Sequence, residues 1–140
     1  MKRSPLKRKT PLRKTRRKPS LRKKLWPEFS KLIRARDKVC RFAGYFGRRC
    51  GGNLQACHLL PKGRHPLLEL HPLNVVAGCY VCHLHGWHKD PMTAARWIQE
   101  NLTLDQLGVL LALRHDSVPR KTMTEADYRA EWKLHGLEGP

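Results

Sequence analysis

The stretch GCYVCHLHGWHKDP, residues 78–91, decides the fold because it concentrates metal-ligand side chains in one short segment. Cys79 and Cys82 are two residues apart, the spacing that delivers two thiolates to one tetrahedral zinc. Three histidines follow directly, at His83, His85 and His88. A structural zinc is satisfied by four ligands. The histidines therefore either replace missing cysteines around one zinc or bind a second metal that takes part in chemistry.

Two cysteines upstream of this stretch complete a set of four sulphur ligands. Cys40 and Cys50 are wider apart than in a usual knuckle, but Gly44 and Gly47 between them allow the longer loop to double back. The alternative is that Cys40 is a buried apolar residue at a helix end and that a histidine completes the site. We expect a structural Zn2+ held by four thiolates, from Cys40, Cys50, Cys79 and Cys82.

Apolar periodicity places an amphipathic helix before Cys40. In the sequence LWPEFSKLIRARDKVC, four apolar residues recur at helical spacing: Trp26, Phe29, Leu32 and Ile33. Residues 40–82 contain too little continuous apolar sequence for an independent core. Binding of a structural zinc would contribute folding energy, on the order of 10 kcal/mol in small zinc modules.

Capping signals predict three further helices after His88. Asp90 with Pro91 begins the first, Thr103 with Gln106 begins the second, and Thr124 begins the third. We expect these helices to pack over the metal centre, and no chemistry is predicted in them.

The charge balance indicates a polyanionic partner. The chain carries 29 Lys and Arg against 11 Asp and Glu, a formal net charge of +18. Such an excess opposes folding by self-repulsion and is typical of proteins that bind nucleic acid or an anionic membrane surface. No segment approaches the roughly 20 apolar residues that cross a bilayer. The basic segment also lacks interleaved aromatic residues, so we predict DNA as the partner and no membrane.

The positive charge is concentrated at the start of the chain. Residues 1–24 contain 13 Lys or Arg and no acidic residue, a composition that predicts a disordered arm. A solubilising tail or a localisation signal is the alternative interpretation of this segment. As nucleic-acid contacts within the arm we predict Lys7, Arg8, Lys9, Arg13, Lys14, Arg16, Arg17 and Lys18. Residues 25–140 form the predicted folded domain.

A cytoplasmic location is expected from the same sequence. The first residues, MKRSPLKRKTPLRK, have no apolar stretch after their basic residues and so do not form a secretory signal. In a reducing compartment, five cysteines are better explained as metal ligands than as disulfides.

The order of His58, Asn74 and the C-x2-C pair followed by His83 resembles the HNH endonucleases of the ββα-metal class. The resemblance is strongest to the zinc-braced phage members that process recombination junctions, and it covers residues 39–91. It implies an α+β fold with a small ββα-metal core, braced by a structural zinc, flanked by helices and preceded by the basic arm. It also implies the cytoplasm of a bacterial host, if the chain is encoded by a phage.

The resemblance implies a role for each of three residues. Phosphodiester hydrolysis needs a base that deprotonates water and a cation that stabilises the developing charge. The family pattern assigns the base to His58, and a neutral histidine suits that task. It assigns Asn74 to holding the loop of the base in position, and His83 to binding the catalytic metal.

The sequence departs from the family pattern at Cys57, where many members have an aspartate that is the second metal ligand. A thiolate is a poor ligand for Mg2+ and suits Zn2+ and softer ions. Cys57 is therefore either a packing residue or part of a site for a softer metal, so the catalytic ion is Mg2+, Mn2+ or Zn2+. We expect the second ligand to be His88 rather than His85, although a spacing of five from His83 is imperfect for one helical face.

The predicted function is metal-dependent hydrolysis of DNA phosphodiester bonds, in phage-type recombination or DNA processing. Lys62 and Arg64, just beyond His58, are candidate phosphate contacts, with a solvated loop as the alternative. The competing interpretation of the whole chain is a non-catalytic zinc-binding module that holds DNA or RNA. The sequence leaves open whether the DNA is branched. It also leaves open the oligomeric state, for which a dimer is one option.

Overall fold

A two-stranded antiparallel sheet lies at the centre of the fold. Strand β1, Leu54–His58, pairs with strand β2, Val75–Cys79, in a register that sets Leu54 opposite Cys79 and His58 opposite Val75. The connection between the strands holds two short 3-10 helices, Pro66–Leu68 and Pro72–Asn74. With the helices described below, this sheet confirms the predicted α+β class.

The computed structural model describes residues 19–115, apart from the side chain of His115, and residues 123–137. The predicted nucleic-acid contacts between Lys7 and Lys18 lie outside these residues. Within the described ranges, no helix has the length and apolar character needed to cross a membrane.

Helix α1, Leu21–Asp37, precedes the sheet and begins four residues earlier than predicted. The hydroxyl of Ser20 accepts a hydrogen bond from the backbone N–H of Lys23 and caps the first turn. Arg22 in that turn donates to the carbonyl of Pro66 at 2.8 Å and lies 3.3 Å from the carboxylate of Glu69. Residues 21–24 are therefore helical, and their assignment to a disordered arm was wrong.

The two faces of the sheet pack against two separate hydrophobic cores. One core joins α1 to the helix α4, Glu125–Leu134, and contains Phe29, Val75 and Trp132. The other core contains Phe42, Trp87 and Trp97. Neighbouring residues of a strand point to opposite faces, which is why Val75 enters the first core and Val76 the second.

The three C-terminal helices begin at the predicted caps. Helix α2, Pro91–Asn101, is capped by Asp90, whose carboxylate accepts from the N–H of Thr93 at 3.0 Å. Thr103 and Gln106 exchange two hydrogen bonds at the start of α3, Leu104–His115. A capping box between Thr124 and Asp127 begins α4.

The expectation that all three helices cover the metal centre was wrong for α4, and α3 packs on the two 3-10 helices between the strands. Helix α2 contributes Trp97 to the core that contains the cysteines Cys79 and Cys82. Helix α4 instead contributes Tyr128 and Trp132 to the core on the opposite face of the sheet, against α1. Capping residues fix where a helix begins, but they do not specify the face of the sheet on which it packs.

Candidate metal centre and histidine cluster

The four predicted cysteines come together at one end of the sheet. The sulphur atoms of Cys40, Cys50, Cys79 and Cys82 all lie within 4.8 Å of one another. The Cys50 and Cys82 sulphurs are 3.7 Å apart, and a tetrahedron with Zn–S bonds of about 2.3 Å has edges of about 3.8 Å. This cluster could therefore hold a structural metal such as zinc, and it includes Cys40, which is only partly buried at the side of the core.

Backbone N–H groups are directed at these sulphurs, as expected for thiolates. Cys79 Sγ accepts from the N–H groups of Gly51 and Cys82, each at 3.4 Å. Cys40 Sγ accepts from the N–H of Cys79 at 3.3 Å. Gly52 has a φ of +76°, and a Cβ there would lie 2.7 Å from Tyr80 Cβ, so the turn after Cys50 requires glycine. These contacts orient the ligands in the way that an outer shell supports a metal site.

Proton binding at the cluster differs from one thiol to the next. Burial alone would raise the pKa of Cys79, but the N–H donors of Cys82 and Gly51 lower it to about 7. Burial raises the pKa of both Cys50 and Cys82. The neighbouring thiols raise the pKa of Cys82 further, whereas the hydrogen bond with Cys82 partly offsets the rise at Cys50. Metal binding requires all four thiolates, so a dication in this position would displace protons that the neighbouring sulphurs help to retain.

His83 and His88 are brought together by an unusual helix. The segment Val81–Trp87 is a π-helix, and the N–H of His88 donates to the carbonyl of His83 five residues earlier, at 3.2 Å. In an α-helix, residues five apart point about 140° away from each other, whereas the wider π turn brings them nearer to alignment. The two Nε2 atoms are 3.0 Å apart. Two imidazole nitrogens at this separation can bind one metal ion.

Gln55 on strand β1 fixes which nitrogen of His83 is available. Its side-chain oxygen lies 2.8 Å from His83 Nδ1 and accepts the ring N–H, which leaves the lone pair on Nε2, facing His88. Burial and the neighbouring His88 and His58 lower the pKa of His83 to about 4, so its ring is neutral at pH 7. Gln55 was not predicted from the sequence. It lies on β1 opposite Gly78, and no local spacing in the sequence indicates its contact with His83.

His58 ends strand β1 with a defined tautomer. Its Nε2 lies 2.9 Å from the carbonyl oxygen of Glu69. A carbonyl can only accept, so Nε2 carries the proton and Nδ1 holds the lone pair. Burial lowers the pKa of His58 below its ordinary value, and the charge of Lys62 lowers it further. The ring is thus neutral and basic at Nδ1 at pH 7.

Asn74 is fully buried and ties down the loop that follows His58. Its amide nitrogen donates to the carbonyls of Leu60 at 3.1 Å and Leu68 at 3.0 Å. Its amide oxygen accepts from the N–H of Leu60 at 2.8 Å. Both the amide oxygen and the amide nitrogen of Asn74 therefore hold the segment that follows His58.

The remaining predicted residues divide between the core and the surface. Cys57 is fully buried in the core and is not part of the cysteine cluster, and burial strongly raises the pKa of its thiol, so the structure places it as a packing residue. His85 is exposed and contacts the ring of Tyr80 edge-on rather than joining His83. Lys62 and Arg64 are exposed on the loop after His58.

A second group of potential ligands lies between α4 and the loop before β2. His71, Glu131 and His135 bring their ligand atoms within 4.8 Å of one another. His71 Nδ1 accepts from the N–H of Leu73 at 3.2 Å, so Nε2 carries the proton and donates to Glu131 at 3.0 Å. This tautomer leaves His71 Nε2 without a free lone pair, and the group acts as a hydrogen-bonded link between α4 and the loop.

A scan against models of protein families finds no match to this chain, and searches of curated proteins and of solved structures find none either. An assignment of function therefore depends on the geometry described above.

Proposed function

We propose that the chain is a metal-dependent endonuclease of the HNH type that hydrolyses DNA phosphodiester bonds. The observation that carries the proposal is the pair His83 Nε2 and His88 Nε2, 3.0 Å apart, with the proton of His83 held on the other nitrogen by Gln55. Metal-binding histidines commonly donate their second ring nitrogen to an oxygen in this way. Without a metal, His88 Nε2 can donate its proton to the lone pair on His83 Nε2, so a hydrogen bond between the rings is the competing explanation of this distance.

The arrangement of the elements supports a ββα-metal core in which the π-helix takes the place of the usual α-helix. Cys79 ends strand β2 and Cys82 lies in the first turn of the π-helix, so a zinc on both would join hairpin and helix. The zinc would thereby fix His58 on the hairpin relative to His83 on the helix. Single-turn π segments are frequent at functional sites, because they re-aim side chains that an α-helix would separate.

In the proposed reaction, His58 Nδ1 accepts a proton from water as the water oxygen attacks phosphorus. The bond from phosphorus to one sugar oxygen breaks, and that oxygen takes a proton from solvent. His58 is suited to the step because its Nε2 proton is held by Glu69 and its ring is neutral at pH 7. A divalent metal on His83 and His88 would stabilise charge on the phosphate and on the leaving oxygen.

The ligand set favours some ions over others. Two imidazoles suit Zn2+ better than Mg2+, which prefers oxygen ligands, and Mn2+ accepts both kinds. With Cys57 buried, the rest of the coordination shell would come from water and phosphate oxygens. We therefore propose Mn2+ or Zn2+ ahead of Mg2+ as the catalytic ion.

The net positive charge of the chain is the reason that DNA is proposed as the substrate. The net charge of +18 favours a polyphosphate, and Lys62 and Arg64 lie on the loop that begins beside His58. A role in phage-type recombination, on branched DNA, is the narrower form of this proposal. Phosphate contacts position a protein on nucleic acid without reading its sequence, so the shape of the DNA would decide the preference.

Cleavage of a labelled panel tests the proposal. The panel contains duplex, single-stranded, flap and four-way-junction DNA and a matched RNA duplex, each with Mg2+, Mn2+ or Zn2+ and with an EDTA control. We expect metal-dependent cleavage of at least one DNA. Tight binding without cleavage of any member, with any metal, would favour the alternative, a non-catalytic zinc-binding module. That alternative draws support from Cys57, because its burial leaves only two protein ligands for a catalytic ion.

A further inference from the structure

Trp26 of helix α1 lies flat against the ring of His58. The two ring centroids are 4.9 Å apart and the planes differ by 14°, a stacked arrangement. The carbonyl of Glu69 holds the edge of the same imidazole at Nε2. The face of the His58 ring is thus held by α1, and its edge is held by the loop between the two strands.

The ring of Trp26 also has a cation over it. Lys62 Nζ is 5.5 Å from the ring centroid, a cation–π distance, and 4.0 Å from a carboxylate oxygen of Glu69. Glu69 is the closer partner of Arg22, at 3.3 Å. The Lys62 side chain remains 57% exposed, so it is held loosely and can reach a ligand in solution.

We propose that Trp26 is a positioning residue for His58 and that Lys62, over the same indole, binds a substrate phosphate beside the base. The inference rests on the proposed nuclease function. It assigns part of the active site to α1, which lies outside the segment that resembles the family.

The stack matters because an imidazole ring occupies nearly the same space after it rotates by half a turn. Rotation of the ring by half a turn exchanges the positions of its nitrogens and carbons, and would carry Nδ1 away from the attacking water. Trp26 opposes rotation on the face while the Glu69 carbonyl opposes it at the edge. When His58 takes a proton, the indole face also stabilises the imidazolium through a cation–π interaction.

The charged groups around His58 explain why Lys62 is suited to respond to substrate. Lys62 and Glu69 act on the pKa of His58, Arg22 is paired to Glu69, and His58 in turn lowers the pKa of His83. The positive charge of Lys62 disfavours proton uptake by His58. A phosphate that pairs with Lys62 would reduce this effect, so the base would accept a proton more readily when substrate is bound.

The competing explanation of the contact between Trp26 and His58 is that Trp26 only packs α1 onto the sheet, and this explanation makes a different prediction. The helix is already anchored by Leu25, Phe29 and Ile33, each at most 4% exposed, whereas Trp26 is only partly buried. If Trp26 only packed, replacing it would change stability and leave the tautomer of His58 unaltered.

The test uses the zinc-loaded full chain with four variants. Trp26→Leu removes the aromatic face and Trp26→Phe keeps it, while Lys62→Met removes the cation. Lys31→Met, on the exposed side of α1, is the matched control for lost charge. The imidazole nitrogens of His58 are observed by 15N NMR, and kcat and KM are measured on the cleaved DNA.

We expect Trp26→Leu to give a mixture of the two His58 tautomers and to lower kcat about tenfold, with a much smaller change in KM. Trp26→Phe should keep the Nε2-protonated tautomer and most of kcat. Lys62→Met should keep the tautomer and raise KM about tenfold, as for the loss of one charge-assisted phosphate contact. Lys31→Met should match the wild type in both measurements.

Two results would overturn the inference: a single Nε2-protonated tautomer with wild-type kcat in Trp26→Leu, or Trp26→Phe as impaired as Trp26→Leu. A KM for Lys62→Met equal to that of Lys31→Met would overturn the role of Lys62. If the wild type cleaves no DNA, the nuclease function fails. The tautomer in Trp26→Leu then still decides whether the indole fixes the ring.

Discussion

Gln55 shows how one side chain sets the chemistry of another. Its oxygen accepts the Nδ1 proton of His83 at 2.8 Å and so presents Nε2 to His88. Without that acceptor, His83 would distribute its proton between both nitrogens. Metal binding would then have to select one tautomer, at a cost in affinity.

The corresponding prediction is that Gln55→Leu weakens metal binding at the histidine pair by about 10- to 100-fold, the usual effect of losing such a partner. Zinc-loaded protein titrated with Mn2+ and followed by electron paramagnetic resonance measures the affinity. Gln99→Leu, at an exposed position on α2, is the control. Equal affinity in the two variants would show that Gln55 does not support a metal ligand.

Some residues of the site are visible in the sequence and others are not. The four cysteines come together as their spacing predicts, whereas His58 and Asn74 were assigned their roles only through the family resemblance, and those roles stay predictions. Gln55 and Trp26 cannot be predicted, because their contacts cross the sheet or join α1 to β1, and no local spacing encodes such contacts. His88, and not His85, lies beside His83 because of the π-helix, which was not predicted; metal binding by His88 stays a prediction.

At the scale of elements, the π-helix depends on a close approach to the loop between the first two cysteines. A Cβ on Gly86 would lie 2.6 Å from Phe46 Cγ, inside any allowed contact, and Cγ lies next to the backbone, where it cannot easily move aside. The absence of a side chain at Gly86 therefore lets the segment that carries His83 and His88 pack on Phe46, in the loop between Cys40 and Cys50.

We expect Gly86→Ala to reduce the free energy of unfolding by about 1–3 kcal/mol, as overpacking does, and to weaken metal binding at His83 and His88. Gly108→Ala is the matched control, because nothing lies within 4 Å of its Cβ and alanine favours a helix by about 1 kcal/mol. Urea unfolding measures the free energy of unfolding of both variants. A Gly86→Ala protein as stable as the wild type would contradict the close packing.

Helix α4 is joined to the loop before β2 by two polar contacts. Trp132 Nε1 donates to the carbonyl of Leu70 at 3.0 Å, and His71 donates to Glu131. Burial lowers the pKa of His71, while Glu131 raises it and His135 lowers it. The unfolded chain therefore binds a proton at His71 more readily than the folded chain does.

The sign of the pH effect follows from that difference. The contribution of neutral His71 to the free energy of unfolding is complete above the ordinary histidine pKa of about 6.5. It is lost as the pH falls through the lower pKa that His71 has in the folded protein. We expect the urea midpoint of the wild type to fall more steeply between pH 7.5 and 5 than that of His71→Gln, which cannot titrate there. Parallel pH profiles of the two proteins would show that His71 does not contribute.

At the scale of the whole molecule, a structural metal would hold together parts that have little core of their own. A two-stranded sheet is marginal in water, and the cysteine cluster joins its end to the π-helix and to the loop after α1. We expect about one tightly bound zinc per chain. Cys79→Ser should lose it together with the cooperative thermal transition.

The control for this prediction is Cys57→Ala, which removes a buried thiol outside the cluster and should keep the zinc while losing some stability. Zinc content by atomic emission and thermal unfolding by circular dichroism measure both variants. A metal-free protein with an unchanged transition temperature would contradict the structural role of the cluster.

The starts of the three C-terminal helices could be predicted because caps are local, and the α+β class was expected from the family resemblance. The position of α4 on the face opposite the cysteines could not, because it depends on Trp132 meeting Phe29 and the Leu70 carbonyl across the fold. The start of α1 was predicted too late. The basic residues 22–24 were assigned to the disordered arm because like charges repel one another, whereas the Ser20 cap begins the helix before them.

The most direct test of the proposed function is the single-turnover rate of metal-dependent cleavage by His58→Ala and His85→Ala, beside the wild type. His85 belongs to the same histidine-rich segment but lies outside the metal pair, so His85→Ala should cut like the wild type. His58→Ala should bind DNA and zinc normally and cut about 100-fold more slowly, because it has lost the general base. Equal rates for His58→Ala and the wild type would contradict the account.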